Sequence, residues 1–176
     1  EKILYPGDFL VIAMNGGLYS DVAKEVLKQA LEYFSDKEEM ISINFLPNDF
    51  FQPKVIDTFI EIVESFNEPH RIVIEITEEE SIEDFNRLIK IVKRFRKVGV
   101  KIAIDDFGSG YANYSHILKL KPDYLKIDGS LIRNILVDNE SNVLVKSIVH
   151  FAQDLGIKTI AEFVEDKEIF ETLKDY

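Results

Sequence analysis

Apolar residues recur along the chain at two alternating spacings. Runs of mostly β-branched residues are typical of buried strands and occupy 40–45, 71–77, 100–104, 123–128 and 157–161. Between these runs, apolar residues repeat at three- and four-residue intervals, which predicts helices over 20–34, 53–63, 82–98, 143–155 and from 167 onward. Strands and helices in strict alternation predict one α/β domain with parallel strands joined by right-handed crossovers.

Local signals refine some boundaries. Pro53 fits the first position of a helix, and Ser81 with Asp84 resembles a capping box at the start of another. Residues 1–19 show neither spacing and contain several turn formers, so we expect them to be irregular. These turn formers are Pro6, Gly7, Gly16 and Gly17.

Polar residues interrupt the apolar pattern where the predicted strands end. They are Asn44, Glu75, Asp105, Asp106, Lys126 and Glu162. In a parallel barrel or open sheet the carboxyl ends of the strands share one rim, and functional residues sit there. We therefore expect these six side chains to share a site.

The chemistry of this rim favours a hard divalent cation. Asp105 and Asp106 repel each other unless one is protonated or a cation lies between them. Carboxylate and amide oxygens suit Mg²⁺ or Mn²⁺, and an aspartate in such a set can bridge two ions. Lys126 either orients a water molecule or forms a plain ion pair with a neighbouring aspartate. Of Glu162 and Glu165, one would bind metal and accept a proton, while the other anchors the backbone.

Glycines follow the aspartate pair and predict a mobile loop over 107–117. Its first part is Phe107, Gly108, Ser109 and Gly110. The three histidines lie in different segments and share no common spacing, so we assign no histidine as a ligand.

Composition narrows the class of protein. The 176 residues suffice for one sizeable core, and a net charge of −11 argues against binding DNA or an anionic membrane surface. The absence of cysteine rules out disulfides and thiolate metal sites and is compatible with a cytoplasmic location. No apolar run is long enough to span a bilayer. The chain opens without methionine, and we expect it to be part of a longer protein.

Five motifs in order resemble the EAL domain. They are Ser-Ile-Asn44, Val-Ile-Glu-Ile-Thr-Glu78, Ile-Asp-Asp-Phe-Gly-Ser-Gly-Tyr111, Tyr-Leu-Lys-Ile-Asp128 and Ala-Glu-Phe-Val-Glu165. The resemblance implies a modified TIM barrel that hydrolyses cyclic di-GMP to linear pGpG with two Mg²⁺ or Mn²⁺ ions, in bacterial signalling.

The resemblance also implies residue roles. One ion would be held by Asn44, Glu75 and Asp105, and the other by Asp105, Asp106 and Glu162. Lys126 would position the attacking water, with Glu162 as its base. Glu165 would steady the loop after Asp106, which carries dimer contacts in the family and helps bind metal and substrate, and we group Phe107 to Gly110 and Asp128 with that loop. A homodimer and fusion to sensor or diguanylate cyclase domains are the expected partners.

Departures from the family pattern leave alternatives open. The signature Glu-Ala-Leu, whose glutamate is a metal ligand, has no counterpart in residues 1–19, so we expect a single EAL-like domain over 1–176 that lacks its first two strands and its last. Phe163 stands where the family usually has glycine. The first interpretation is a phosphodiesterase; the second is a degenerate domain that binds cyclic di-GMP or a protein without cleavage. Another Mg²⁺-dependent barrel enzyme fits the composition but not the motif order.

Overall fold

The computed structural model describes residues 5–45, 53–77, 85–110 and 114–176. Its helices are α1 (Pro6–Asn15), α2 (Tyr19–Tyr33), α3 (Pro53–Glu64), α4 (Phe85–Lys97), α5 (Tyr114–Leu120), α6 (Gly129–Ile132), α7 (Asn139–Asp154) and α8 (Lys167–Lys174). Its strands are β1 (Ile41–Asn44), β2 (Ile72–Thr77), β3 (Lys101–Phe107), β4 (Tyr124–Ile127) and β5 (Lys158–Ala161). A 3-10 turn, Pro69–Arg71, precedes β2.

The five strands form one parallel sheet in the order β1-β2-β3-β4-β5. The alternation of strand and helix confirms the predicted α/β class. Four of the five predicted strands match their expected bounds within one residue, whereas β3 continues three residues beyond its expected end at 104, to Phe107. Each strand therefore lies beside its sequence neighbour, and its carboxyl end meets the others at the same rim.

The two faces of the sheet differ in character. Ile74, Ile102 and Leu125 lie on the face that joins the helices in the hydrophobic core and are fully buried. The in-register pairs Glu75 with Ala103 and Lys126 with Ile160 lie on the opposite face. Because side chains alternate along a strand, this second face collects the polar residues that interrupt the apolar runs.

Two predicted loops are helical in part. Residues 6–15, expected to be irregular, form α1, which has Pro6 in its first turn and ends at Gly16. The backbone N–H of Tyr5 donates to Asp8 Oδ2 at 3.0 Å, which satisfies one donor at the helix start. Pro6 and Gly16 are thus start and stop signals of a helix and not signals of an irregular segment.

The predicted mobile loop over 107–117 is also wrong at both ends. Phe107 is the last residue of β3 and fully buried, and the ring of Tyr114 at the start of α5 packs edge-on against it at 5.4 Å. Residues 111–113 and the predicted capping box of Ser81 and Asp84 lie outside the described residues.

Candidate active site

Lys126 is the centre of the polar face. Its Nζ lies 2.6 Å from Asp105 Oδ1, 2.8 Å from Glu162 Oε1 and 3.0 Å from Glu75 Oε2. These acids come from β3, from the residue after β5, and from β2, and only 14% of the lysine side chain is exposed. The register places Glu75, Asp105 and Lys126 on the same face of the neighbouring strands β2, β3 and β4. Glu162, directly after β5, lies on that face as well.

The three carboxylates control the charge state of the lysine. Burial by itself lowers the pKa of Lys126, but its hydrogen bonds with Asp105, Glu162 and Glu75 outweigh this, and the pKa lies well above its usual value. The side chain is therefore an ammonium throughout the physiological pH range, able to donate hydrogen bonds and unable to accept a proton.

Asp106 reaches the same rim through an irregular backbone. The pairing of β3 with β4 shifts register between Ile104 and Phe107, and Asp106 adopts a left-handed φ of 55°. Its N–H donates to Asp105 Oδ1 at 3.1 Å. Non-glycine residues rarely adopt this conformation, and bulges of this kind re-aim side chains next to active sites. Two consecutive aspartates can thus serve one site although side chains alternate along a regular strand.

Burial raises the pKa of Asp106, and the neighbouring charges of Asp105, Glu162 and Asp128 raise it further. Lys126 offsets only part of this. The carboxylate is held in an environment with a surplus of negative charge, and a cation placed there would relieve that surplus.

Three of the predicted metal ligands form a group that fits a divalent cation. One oxygen each from Asp105, Asp106 and Glu162 lies within 4.8 Å of the others. Oxygen donors carrying three potential negative charges suit Mg²⁺ or Mn²⁺. Asn44, at the end of β1, pairs in register with Glu75 of β2 and is exposed. Glu75 itself forms an ion pair with Lys126.

The predicted loop residues have different environments. Phe107, the last residue of β3, has its side chain in the hydrophobic core. Gly108 has a φ of 95°, and a Cβ there would lie 2.7 Å from Leu131 Cδ1, so the backbone passes close to the segment after β4. Ser109 and Gly110 are exposed. Asp128 caps α6 by accepting a hydrogen bond from the Ser130 N–H at 2.8 Å.

Glu165 has a partner that the sequence did not predict. The structure gives it an ion pair with Arg133, whose Nε lies 3.2 Å from its Oε1. The Arg133 guanidinium carbon also lies 4.1 Å from the centre of the Phe163 ring. No sequence pattern near Arg133 indicates a contact with Glu165 or with Phe163, because both lie about thirty residues further along the chain.

Comparison with known proteins decides the family. The EAL domain family model matches residues 1–176. The chain belongs to the EAL domain family. It is 34% identical over 179 residues to the cyclic di-GMP phosphodiesterase PdeB of Shewanella oneidensis, covering 98% of this chain and 21% of PdeB. It is 29% identical to the probable cyclic di-GMP phosphodiesterase PdeA of Escherichia coli, over 94% of this chain and 24% of that protein. The chain thus spans about a fifth to a quarter of these relatives.

Solved structures confirm the TIM-barrel-like fold of the EAL type. The EAL enzyme Bd1971, bound to cAMP and cyclic di-GMP, superposes with a TM-score of 0.85 at 26% identity, over 98% of this chain and 50% of that chain. Klebsiella pneumoniae BlrP1, in a calcium and cyclic di-GMP complex, gives 0.79 at 30% identity, over 89% and 41% of the two chains. A second BlrP1 structure contains manganese with the dinucleotide. BlrP1, which is similar to this chain, thus forms complexes that contain a divalent metal and cyclic di-GMP.

None of the helices within the described ranges combines the length and the apolar character that crossing a bilayer requires.

Proposed function

We propose that the EAL domain to which this chain belongs hydrolyses cyclic di-GMP to linear pGpG. The observation that carries the proposal is the contact of one ammonium, Lys126, with Asp105, Glu162 and Glu75 beside the cation-sized group of Asp105, Asp106 and Glu162. A pure binding module has no need of this arrangement.

Five side chains would hold two Mg²⁺ or Mn²⁺ ions, and the three grouped carboxylates support one of the two sites directly. Asn44, Glu75 and Asp105 are assigned to one ion, and Asp105, Asp106 and Glu162 to the other. When bound, such ions acidify a water molecule and stabilise charge on a transferring phosphoryl group.

The chain's own residues account for positioning and proton transfer. The Lys126 ammonium has three N–H groups, and in this structure three carboxylates lie around it. With those carboxylates engaged on the ions, one N–H would be released to donate to the attacking water, and the ammonium would counter the charge that builds on the phosphate oxygens. Glu162 accepts the water proton as the new O–P bond forms, and the bond from phosphorus to the 3′ oxygen breaks. The leaving 3′ oxygen takes a proton from solvent, which leaves pGpG with a 5′ phosphate.

Several finer assignments remain part of this proposal. They are a homodimer through the loop after Asp106, fusion to sensor or diguanylate cyclase domains, and a cytoplasmic location in a bacterial cell. One neighbouring structure, LapD of Vibrio cholerae, combines GGDEF and EAL domains, which supports the fusion as a type of architecture.

The experiment measures conversion of cyclic di-GMP to pGpG, with Mg²⁺ or Mn²⁺, by the protein that carries this chain. Glu162→Gln and Lys126→Ala are each expected to lower kcat by roughly 10²–10⁴-fold, the usual contribution of a positioned acid, base or electrostatic group. The surface pair Lys174 and Glu171, more than half exposed, supplies the controls Lys174→Ala and Glu171→Gln, which should leave kcat unchanged. A wild-type protein that binds the dinucleotide but yields no pGpG would refute hydrolysis and establish a receptor.

A further inference from the structure

Phe163 fills a space that only a glycine at position 129 leaves open. A Cβ built on Gly129 would lie 2.2 Å from Phe163 Cδ2, 2.9 Å from Cγ and 3.1 Å from Cβ. All three nearest atoms belong to Phe163, so the ring packs directly on the backbone at the start of α6. The identities of these two residues, 34 positions apart in the sequence, are therefore sterically coupled.

The ring is also covered by a cation. The Arg133 guanidinium carbon lies 4.1 Å from the ring centre, and the same arginine pairs with Glu165 at 3.2 Å. Arg133 thus holds both Phe163 and Glu165 to the segment that follows β4. A cation at this distance from an aromatic face is an attractive contact even at an exposed site.

This contact immediately follows Glu162. The Glu162 N–H donates to the Ile127 carbonyl at 3.3 Å and continues the pairing of β4 with β5. The next residue, Phe163, turns the chain with a left-handed φ of 52°, a conformation that a bulky side chain adopts only when its surroundings impose it. The packing on Gly129 and Arg133 supplies that constraint and fixes the direction in which the chain leaves Glu162.

We propose that Phe163, clamped between Gly129 and Arg133, is a positioning residue that holds the Glu162 carboxylate against Lys126 and Asp105. The inference rests on the proposed function of Glu162 and adds to it a second layer of residues. Phe163 and Arg133 touch neither substrate nor metal in this proposal and act through the backbone at Glu162.

The test combines two sets of variants of the protein that carries this chain. Phe163→Ala should lower kcat roughly 10–100-fold, the loss expected when a catalytic group shifts by up to about 1 Å, with KM changed less than about threefold. It should also weaken Mn²⁺ binding, measured by titration without substrate, about tenfold or more. Phe170→Ala is the matched control, because Phe170 is similarly exposed and also carries a cation, Lys174 Nζ, 4.5 Å from its ring centre.

A double-mutant cycle tests the steric coupling. Gly129→Ala should reproduce the losses in kcat and Mn²⁺ affinity in the wild-type background, because its methyl group displaces the ring. In the Phe163→Gly background, Gly129→Ala should have no further effect. Denaturant unfolding of the same four proteins verifies that each is folded and measures the coupling without activity.

The inference would be overturned if Gly129→Ala lowered kcat and Mn²⁺ affinity equally in the wild-type and Phe163→Gly backgrounds. It would also be overturned if Phe163→Ala had the same kcat and Mn²⁺ affinity as Phe170→Ala. A wild-type protein that binds Mn²⁺ but cleaves no cyclic di-GMP would refute the proposed hydrolysis alone, and the positioning role would then be decided by Mn²⁺ affinity. A wild-type protein that binds no Mn²⁺ would overturn both proposals.

Discussion

Replacing Lys126 by methionine should destabilise the domain strongly in the absence of metal. Methionine keeps most of the apolar stem and removes the ammonium that contacts Glu75, Asp105 and Glu162 at 3.0, 2.6 and 2.8 Å. The side chains of these acids are only 8%, 11% and 20% exposed, so water screens their mutual repulsion poorly. Removing one partner from a buried ion pair costs about 3–5 kcal/mol.

The assay is thermal and denaturant unfolding in a chelator and then with Mn²⁺ or Mg²⁺. For a domain of this size the loss corresponds to a fall in Tm of roughly 6–20 °C. Mn²⁺ should recover more stability in Lys126→Met than in the wild type, because the ion replaces the missing counter-charge and binds only the folded carboxylate cluster.

Lys174→Met is the matched control. Its ion pair with Glu171 has both side chains more than half exposed, and such pairs contribute about 0–1 kcal/mol. The free energy of unfolding of Lys126→Met in chelator could lie within about 1 kcal/mol of the wild-type value, or fall by no more than that of Lys174→Met. In either case the ammonium does not neutralise these acids in solution. That result would refute the central role assigned to Lys126.

Three further predictions concern single residues. Asp106→Asn keeps a residue that tolerates a left-handed φ and removes a carboxylate whose pKa is raised. It should stabilise the metal-free protein by up to about 1 kcal/mol while reducing the Mn²⁺-induced rise in Tm. Because a raised carboxylate pKa destabilises the fold as pH rises, this gain should vanish at low pH, and a gain independent of pH would contradict the cause given. Arg71→Met should cost about 2–4 kcal/mol in urea unfolding, since the buried guanidinium donates to the Phe34 and Glu39 carbonyls, each at 3.0 Å; an unchanged midpoint would show that water replaces it. Asp138→Ala should lower Tm by a few degrees, and Asp138→Asn by less, because the Asp138 carboxylate caps α7; its pKa is lowered by hydrogen bonds from Ser141, so the difference between wild type and Asp138→Ala should disappear as pH falls through that pKa.

Local pattern was sufficient for the order and type of most elements. The five strands are short runs of apolar residues and α4 has a strong apolar stripe, so the local pattern predicts each of these elements. The local pattern did not predict α1, because residues 9–14 are continuously apolar and so show no helical period. Pro6 and Gly16 nevertheless mark the two ends of this helix. The local pattern also missed the start of α5, a seven-residue helix whose Tyr114 is held by edge-on contacts with Phe107 and Phe151.

The sequence by itself placed polar residues at successive strand ends, because parallel strands oblige their carboxyl ends to meet at one rim. Only the tertiary structure decided which of them touch. The contact between Lys126 and Glu75 joins residues 51 positions apart, and it depends on a strand register that is set by packing of the opposite face.

The same holds for backbone conformation and the outer layer of the site. The bulge that aims Asp106 at the rim, the packing of Phe163 on Gly129 and the pairing of Arg133 with Glu165 each follow from chain segments meeting in space. The local propensity of phenylalanine does not favour the left-handed φ of Phe163. This conformation is imposed by its contacts with Gly129 and Arg133, which are about thirty residues away in the sequence.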